Sequence, residues 1–410
     1  MSALRQRDER RSPAATADSG LEQRICVVGP GARFLSGISH HTTRVANSLA
    51  GSNRVAVVLM RQLLPTFLYP GRARVGADLT RVSFTAQVET FDGVDWFWLP
   101  SILRAMVFLV RRRPDVLVLQ WWTGTVLHSY LVLALLTRAL GGRVVIEFHE
   151  VLDTAELRLA WIRAYVNSIA PFLMGLASGF VIHSEHDLPA LEQRYRIGGR
   201  PVEVIPPGSL IPPAPQDATS DTSSLNGAVR TAPASCCNLL FFGVIRPFKG
   251  LEDLIQAFDG IPDQDIGGFW LTVVGETWEG WTIPENLMKR SRHRDRITFL
   301  NRYVHDREVE RIFSAADAVV LPYHRSSASG PLHIAMSHGL PLVVTAVGGL
   351  PEAVCDYAGA TLVPPRDPEA LRAALYQVAN LKGRRYSDPH SWEQKAQRYQ
   401  ALIDVVRQRA

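Results

Sequence analysis

Short, almost wholly apolar runs recur along this chain, each followed by a stretch with helical periodicity, and the pattern occurs twice. The first series is RICVVGP (24–30), RVAVVLM (54–60), DVLVLQW (115–121), RVVIEFHE (143–150), GFVIHS (179–184) and PVEVIPPG (201–208). A strand that is apolar on both faces has to be covered on both, so runs of this length separated by helices imply a parallel sheet with helices above and below. Residues 206–237 break the series with Pro, Ser, Thr, Ala and Asp and read as a linker. The alternation restarts at NLLFFGVI (238–245) and continues through FWLTVVGE (269–276), RITFLNRY (296–303), AVVLPY (318–323), PLVVTAV (341–347) and ATLVPP (360–365). The expected fold class is α/β, with doubly wound domains over 21–205 and 238–385. Ligands of such sheets sit beyond the carboxyl ends of the strands, so two of them face to face place a ligand in the cleft between.

The ends of the chain stand outside this pattern. Residues 1–20 are rich in Arg, Ser and Ala without an apolar core, which excludes a signal peptide and reads as a disordered arm. Within 386–410, SWEQKAQRYQALIDVVRQR (391–409) reads as an amphipathic helix that either closes the second sheet or crosses back to the first. The longest apolar run, TVLHSYLVLALLT (125–137), is about half of a membrane span of ~20 residues and contains His128, so it reads as a buried helix. With 47% hydrophobic and 20% charged residues the chain is too polar for a multispanning protein. Four cysteines (26, 236, 237, 355) lack metal-ligand or disulfide-framework spacing, which fits a reducing cytoplasm. The net charge of +5 favours anionic partners: phosphorylated ligands, nucleic acid or an acidic membrane face. Arginine richness from compositional drift is the plain alternative.

That arginine richness makes one lysine conspicuous. Only Lys249, Lys289, Lys382 and Lys395 stand among the 44 basic residues. Lys249 follows Arg246 in FFGVIRPFKGLEDLIQAF (241–258), where Gly243 eases close backbone approach and Leu251, Leu254, Ile255 and Phe258 mark one face of a helix. Two cations in a strand-to-helix loop, beside a helix amino terminus, make an anion site for which a diphosphate is the obvious guest. Solvated loop charges are the bland reading. A second informative stretch is LPYHRSSASGPLHIAMSHGLPLVVTAVGGLPEAV (321–354), where a small-residue loop leads to a helix starting near Gly330 or Pro331. Ser329 and the amides after it can donate to phosphate oxygens, although Pro331 supplies no amide.

Taken in order, FxGxxxxxKG, VVGE, ITFLNRYVHDREVERIFSAADAVVLPY and SGPLHIAMSHGLPLVVTAVGGLPE resemble the carboxyl-terminal half of the group 1 (family 4) retaining glycosyltransferases. The resemblance is specific over 239–357 and weaker from 24 to 208. It implies the GT-B fold, two Rossmann-like domains facing across a cleft, and transfer of a sugar from a nucleoside diphosphate sugar to an acceptor hydroxyl without metal or other cofactor. It makes Arg246 and Lys249 the pair that neutralises the donor diphosphate. It also puts Gly37, Gly243, Tyr303, Ser326, Ser329, Gly330 and Leu332 at the donor, Gly37 belonging to a glycine loop that closes over donor and acceptor. His149 would contact the transferred sugar. The chain departs from the family where two glutamates are usual, one opening the small-residue loop and one in the following helix. Ser326 and Ile334 stand there. The second glutamate normally binds the donor ribose, so a catalytically silent nucleotide-sugar-binding protein is the alternative.

Other motifs point to less. GPGARF (29–34) fails as a dinucleotide fingerprint, because Phe34 stands at the third glycine and the second strand ends at Met60 and Arg61 without an acid for a ribose. Gly37 also reads as a plain turn. Alternation along RVVIEFHE puts Glu147 and His149 on one face of the strand end, where a histidine is often structural. His183 and His186 in HSEHD look like metal ligands, but His183 belongs to a strand, and no metal site is expected. WFWLPSILRAMVFLVRRRPD (96–115) reads first as a core helix with a basic end, and the same profile suits a helix resting on an anionic membrane. The expected location is cytoplasmic, with peripheral association at the inner membrane face left open. No nucleic-acid partner is expected.

Overall fold

In the computed structural model, residues 22–31, 37–62, 83–95, 97–149, 151, 160–209, 232–277 and 281–409 are described. The amino-terminal arm and most of the presumed linker lie outside them. The first series of apolar runs forms β1 (Arg24–Pro30), β2 (Arg54–Gln62), β4 (Val116–Trp121), β5 (Arg143–Phe148), β6 (Gly179–Ile182) and β7 (Val202–Val204), with β3 (Glu89–Asp95) added at one edge. The order is β3-β2-β1-β4-β5-β6-β7, all parallel. The second series forms β8 (Cys237–Phe242), β9 (Phe269–Val274), β10 (Ile297–Leu300), β11 (Ala318–Leu321), β12 (Leu342–Thr345) and β13 (Ala360–Val363), in the order β10-β9-β8-β11-β12-β13, again parallel.

β3 escapes a search for apolar runs because it is an edge strand. It pairs only with β2, and its sequence ETFDGVD keeps polar residues on the exposed side. β4 and β8, flanked on both sides, are buried along nearly their whole length, which is why they read as continuous hydrophobic segments.

One face of the first sheet is covered by α2 (Leu99–Arg112), α3 (Leu127–Ala139) and α4 (Ala160–Leu176). They contribute Ile102, Leu109, Tyr130, Leu133, Val166 and Leu173 to a core with Leu117, Leu119, Val144 and Ile146. The opposite face is covered by α1 (Gly37–Leu49) together with the carboxyl-terminal α8 (Trp392–Gln408). Tyr399, Leu402, Ile403 and Val406 of α8 pack with Ile25, Val27, Val45 and Val57 in one buried cluster. The last helix thus crosses back and completes the first domain. The second sheet has its own core, built by Leu239, Phe241, Leu271, Val319, Val343 and the helices around them.

The strand order reverses between β1 and β4 in the first sheet and between β8 and β11 in the second. At such a switch point the loops leave to opposite sides of the sheet and open a crevice. Both crevices face one cavity of about 720 Å³ between the domains.

Candidate active site

The floor of the second domain's crevice is the loop after β8. Gly243 has φ of +117°, and Gly275, which follows β9, approaches it so closely that a Cβ on Gly275 would lie 1.9 Å from the Gly243 carbonyl oxygen. Only glycine fits there. The chain then runs through Arg246 into a single tight turn, Pro247–Lys249, and Gly250 with φ of +64° turns it into α5 (Leu251–Asp259). A Cβ on Gly250 would sit 1.8 Å from the Pro322 carbonyl oxygen, so this glycine presses the lysine turn against the end of β11.

Lys249 Nζ lies 3.6 Å from the centre of the Tyr323 ring, and Arg246 and Arg325 both stack near Phe248, at 5.9 and 4.8 Å from its centre. All three cations line the cavity. Nothing local in the sequence separates Arg325 from other loop arginines; its place beside Phe248 shows only in three dimensions. The positive field comes mainly from these side chains. The first turn of α5 carries Glu252 and Asp253, and Asp253 already pairs with His324 Nε2 at 2.7 Å.

Gly243, Tyr303, Ser326 and Gly330 also line the cavity, as does Ile334 on α7 (Gly330–Ser337). Ser329 and Leu332 do not. Ser329 is buried as the cap of α7, its hydroxyl accepting the Leu332 amide at 3.4 Å, so neither group is turned to the cavity. The amide that sequence offered to a phosphate is used by the helix itself. Gly37 begins α1, and the loop just before it lies outside the described residues.

The first domain contributes a buried cluster drawn from elements far apart in sequence. Glu147 at the end of β5 is fully buried. It accepts from His41 Nε2 of α1 at 2.6 Å and from the Tyr399 hydroxyl of α8 at 2.7 Å. Burial would raise its carboxyl, but the histidines around it, His41 first, hold it far below the usual range. Beside it, the His183 ring donates from Nδ1 to the Ile205 carbonyl at 2.8 Å, since a carbonyl can only accept. Burial pushes His183 down to about 4 and His149 well below its ordinary value, so both rings are neutral near pH 7.

The tautomers then follow. His183 Nε2 holds a lone pair, so at 3.1 Å His149 Nδ1 must be the donor. His149 Nε2 keeps the other lone pair, buried and with no hydrogen-bond partner among the described residues, on a ring that lines the cavity. That acceptor atom is enclosed beneath the cavity wall, so the part of the His149 residue that meets the cavity is not its Nε2. His41, Glu147, His149 and His183 could also hold a divalent ion, their ligand atoms lying within 4.8 Å of one another. An ion there would displace the hydrogen bonds just described. His186 is not part of the group.

Contacts between the domains ring this cavity. His40 Nε2 reaches Asp306 at 3.2 Å, on the first residue of α6 (Asp306–Ser314). On the other rim the Glu352 carboxylate accepts from the Glu185 amide at 2.8 Å and from the Ser184 hydroxyl.

Comparison with known proteins agrees with this geometry. A family model described as Glycosyltransferase Family 4 matches residues 35–209, and one described as Glycosyl transferases group 1 matches 236–380. The D-inositol 3-phosphate glycosyltransferase of Mycolicibacterium gilvum is 28% identical over 208 residues, which is 49% of this chain and 44% of that protein. The chain spans about half the length of the curated relatives it matches. Among solved structures, sucrose-phosphate synthase from Thermosynechococcus elongatus superposes with a TM-score of 0.61 at 17% identity, over 95% of this chain and 97% of that one. Anabaena HepE in complex with UDP and glucose does so with a TM-score of 0.58 at 18% identity, over 95% and 98%. With one family model on each domain and the two-sheet GT-B architecture joining them, the chain belongs to the group 1, family 4 glycosyltransferases.

Proposed function

We propose that this chain transfers a sugar from a nucleoside diphosphate sugar to an acceptor hydroxyl, with retention of configuration. The observation that carries the reading is the group of three cations, Arg246, Lys249 and Arg325, on the cavity wall at the switch point of the second sheet. A diphosphate gains negative charge as the anomeric bond breaks, and positive charge fixed in advance at that place stabilises the leaving group without reorganisation. Since HepE is a structure in complex with UDP and glucose, a uridine nucleotide is the first donor to test. His149, which lines the cavity across from the cations, contacts the transferred sugar. No protein nucleophile is assigned. Attack by the acceptor on the face that the diphosphate leaves accounts for retention. Three buried free cysteines and one exposed one fit a reducing, cytoplasmic setting.

The test is a transfer assay with a panel of nucleoside diphosphate sugars and a mixture of hydroxyl acceptors, following nucleotide release and, by proton NMR, the anomeric configuration of the product. An α-configured donor giving an α-linked product supports the reading. An inverted product ends the retention claim.

A second reading, a donor-binding protein without turnover, has one observation in its favour. Ser326 and Ile334 occupy the positions of the family's two glutamates, and both face the cavity, so neither carboxylate has a substitute at the same place. Saturable nucleotide-sugar binding with no nucleotide release under any acceptor would establish it.

A further inference from the structure

The first domain presents a surface that transfer chemistry does not use. Helices α2, α3 and α4 lie side by side over one face of the sheet, and each carries large apolar residues on its outward side as well as its inward one. On α2, Leu99, Leu103, Val107 and Val110 are exposed, while Ile102, Ala105 and Leu109 face the core. At 3.6 residues per turn those four exposed residues fall within an arc of about 80°, with Arg104 and Arg111 along one edge of it. Trp98, just before the helix, is 58% exposed and Leu99 64%. On α4, Trp161 and Phe172 are 66% and 68% exposed and three turns apart on the same side. Leu135 of α3 lies exposed between them.

Charge on the three helices has one sign. Their sequences LPSILRAMVFLVRR, LHSYLVLALLTRA and AWIRAYVNSIAPFLMGL contain five arginines and no aspartate or glutamate. Of these arginines, Arg112 is paired with Glu89. A second copy of the chain is a poor occupant for such a face, because a two-fold interface would set arginine against arginine with no carboxylate on these helices to pair them. An anionic bilayer satisfies both features: the apolar side chains enter the headgroup boundary and the arginines meet lipid phosphates. No described helix is long and apolar enough to cross a membrane, so the contact is one of lying on the surface.

We propose that the outward face of α2, α3 and α4 docks the protein on an anionic lipid surface. Docking is independent of the donor reading, since the face lies on the side of the first sheet opposite α1 and α8.

The test is co-sedimentation of the full chain with vesicles of phosphatidylcholine alone or with phosphatidylglycerol added. The wild type should sediment with the anionic vesicles only, and 0.5 M salt should release part of it. Val107→Asp and Trp161→Asp, both at exposed sites, should abolish sedimentation while leaving the circular dichroism spectrum unchanged. Arg104→Gln and Arg111→Gln should each weaken partitioning about 5-fold. Failure to sediment with anionic vesicles would overturn the proposal, and so would sedimentation that Val107→Asp and Trp161→Asp leave intact. Sedimentation velocity supplies the competing outcome: a dimer that Val107→Asp converts to monomer would make the face a self-association surface. A nucleotide thermal shift on the same variants reads the donor site separately, so the two proposals fail independently.

Discussion

At the scale of residues, the cavity is organised by what surrounds each charged or titratable group. Lys249 rests on the face of Tyr323, which orients a compact charge on a flexible stem and stabilises it by about 0.5–2 kcal/mol. Arg325 on Phe248 is held in the same manner. Arg325→Ala is therefore expected to lower kcat/KM by about 10- to 100-fold through loss of one charge contact to the diphosphate, with the melting temperature nearly unchanged. Steady-state kinetics beside a thermal melt checks this. Gly250→Ala should act differently, through the backbone: a Cβ at φ +64° and 1.8 Å from a carbonyl forces the lysine turn away from β11, so stability and activity fall together.

The buried histidines make stability depend on pH. His183 titrates near 6.5 when unfolded and is pushed down to about 4 by burial in the folded chain. Between those values the unfolded state binds the extra proton, so stability is fully present above about pH 6.5 and falls as pH drops toward 4, by on the order of 3 kcal/mol for this group. His149 adds in the same direction. His183→Phe should flatten the slope of stability against pH between 6.5 and 4 in urea titrations. An unchanged slope would mean that the ring is charged in the folded protein. Little of this cluster was legible in the sequence. Alternation placed Glu147 with His149, but His41 and Tyr399 come from two helices and His183 from the residue just past β6 rather than from the strand itself, and only the fold brings them to the same carboxylate.

At the scale of elements, legibility followed burial. Central strands such as β4 and β8 are apolar on both faces and stand out in the sequence, while β3, half-exposed at an edge, does not. The loop from Gly243 to Gly250 was legible because its glycines answer to backbone geometry, which depends on few neighbours. Ser329 was less so, since a serine ahead of a helix serves a ligand or the helix cap equally well from sequence alone; here it caps α7. The helix α2 shows a similar limit. Its sequence suits a core helix and a helix resting on a membrane alike, and the packing of the fold separates the inward Ile102, Ala105 and Leu109 from the outward Leu99, Leu103, Val107 and Val110. The carboxyl-terminal α8 buries Tyr399, Leu402, Ile403 and Val406 against the first sheet, each contributing roughly 1.5–3 kcal/mol at most. A chain ending at residue 390 is expected to lose the cooperative unfolding of its first domain. Differential scanning calorimetry should show one transition, from the second domain, where the full chain has both.

At the scale of the whole molecule, two sheets with separate cores are tied across the cavity by small polar contacts, chiefly His40 with Asp306 and Glu352 with Ser184 and Glu185. Interfaces of this kind permit the domains to move relative to each other. On the proposed function the donor belongs to the second domain, where the cations lie, and the first domain is left to the acceptor side and to the proposed lipid face. In the proposed function the Gly243–Lys249 loop holds a nucleoside diphosphate. Isothermal titration calorimetry of UDP, GDP, ADP and their glucose or mannose conjugates into the wild type and Lys249→Ala tests it most directly. One nucleotide should bind the wild type at a single site and bind Lys249→Ala at least about 100-fold more weakly. Absence of binding by every member of the panel, or equal affinity in both proteins, would contradict the account.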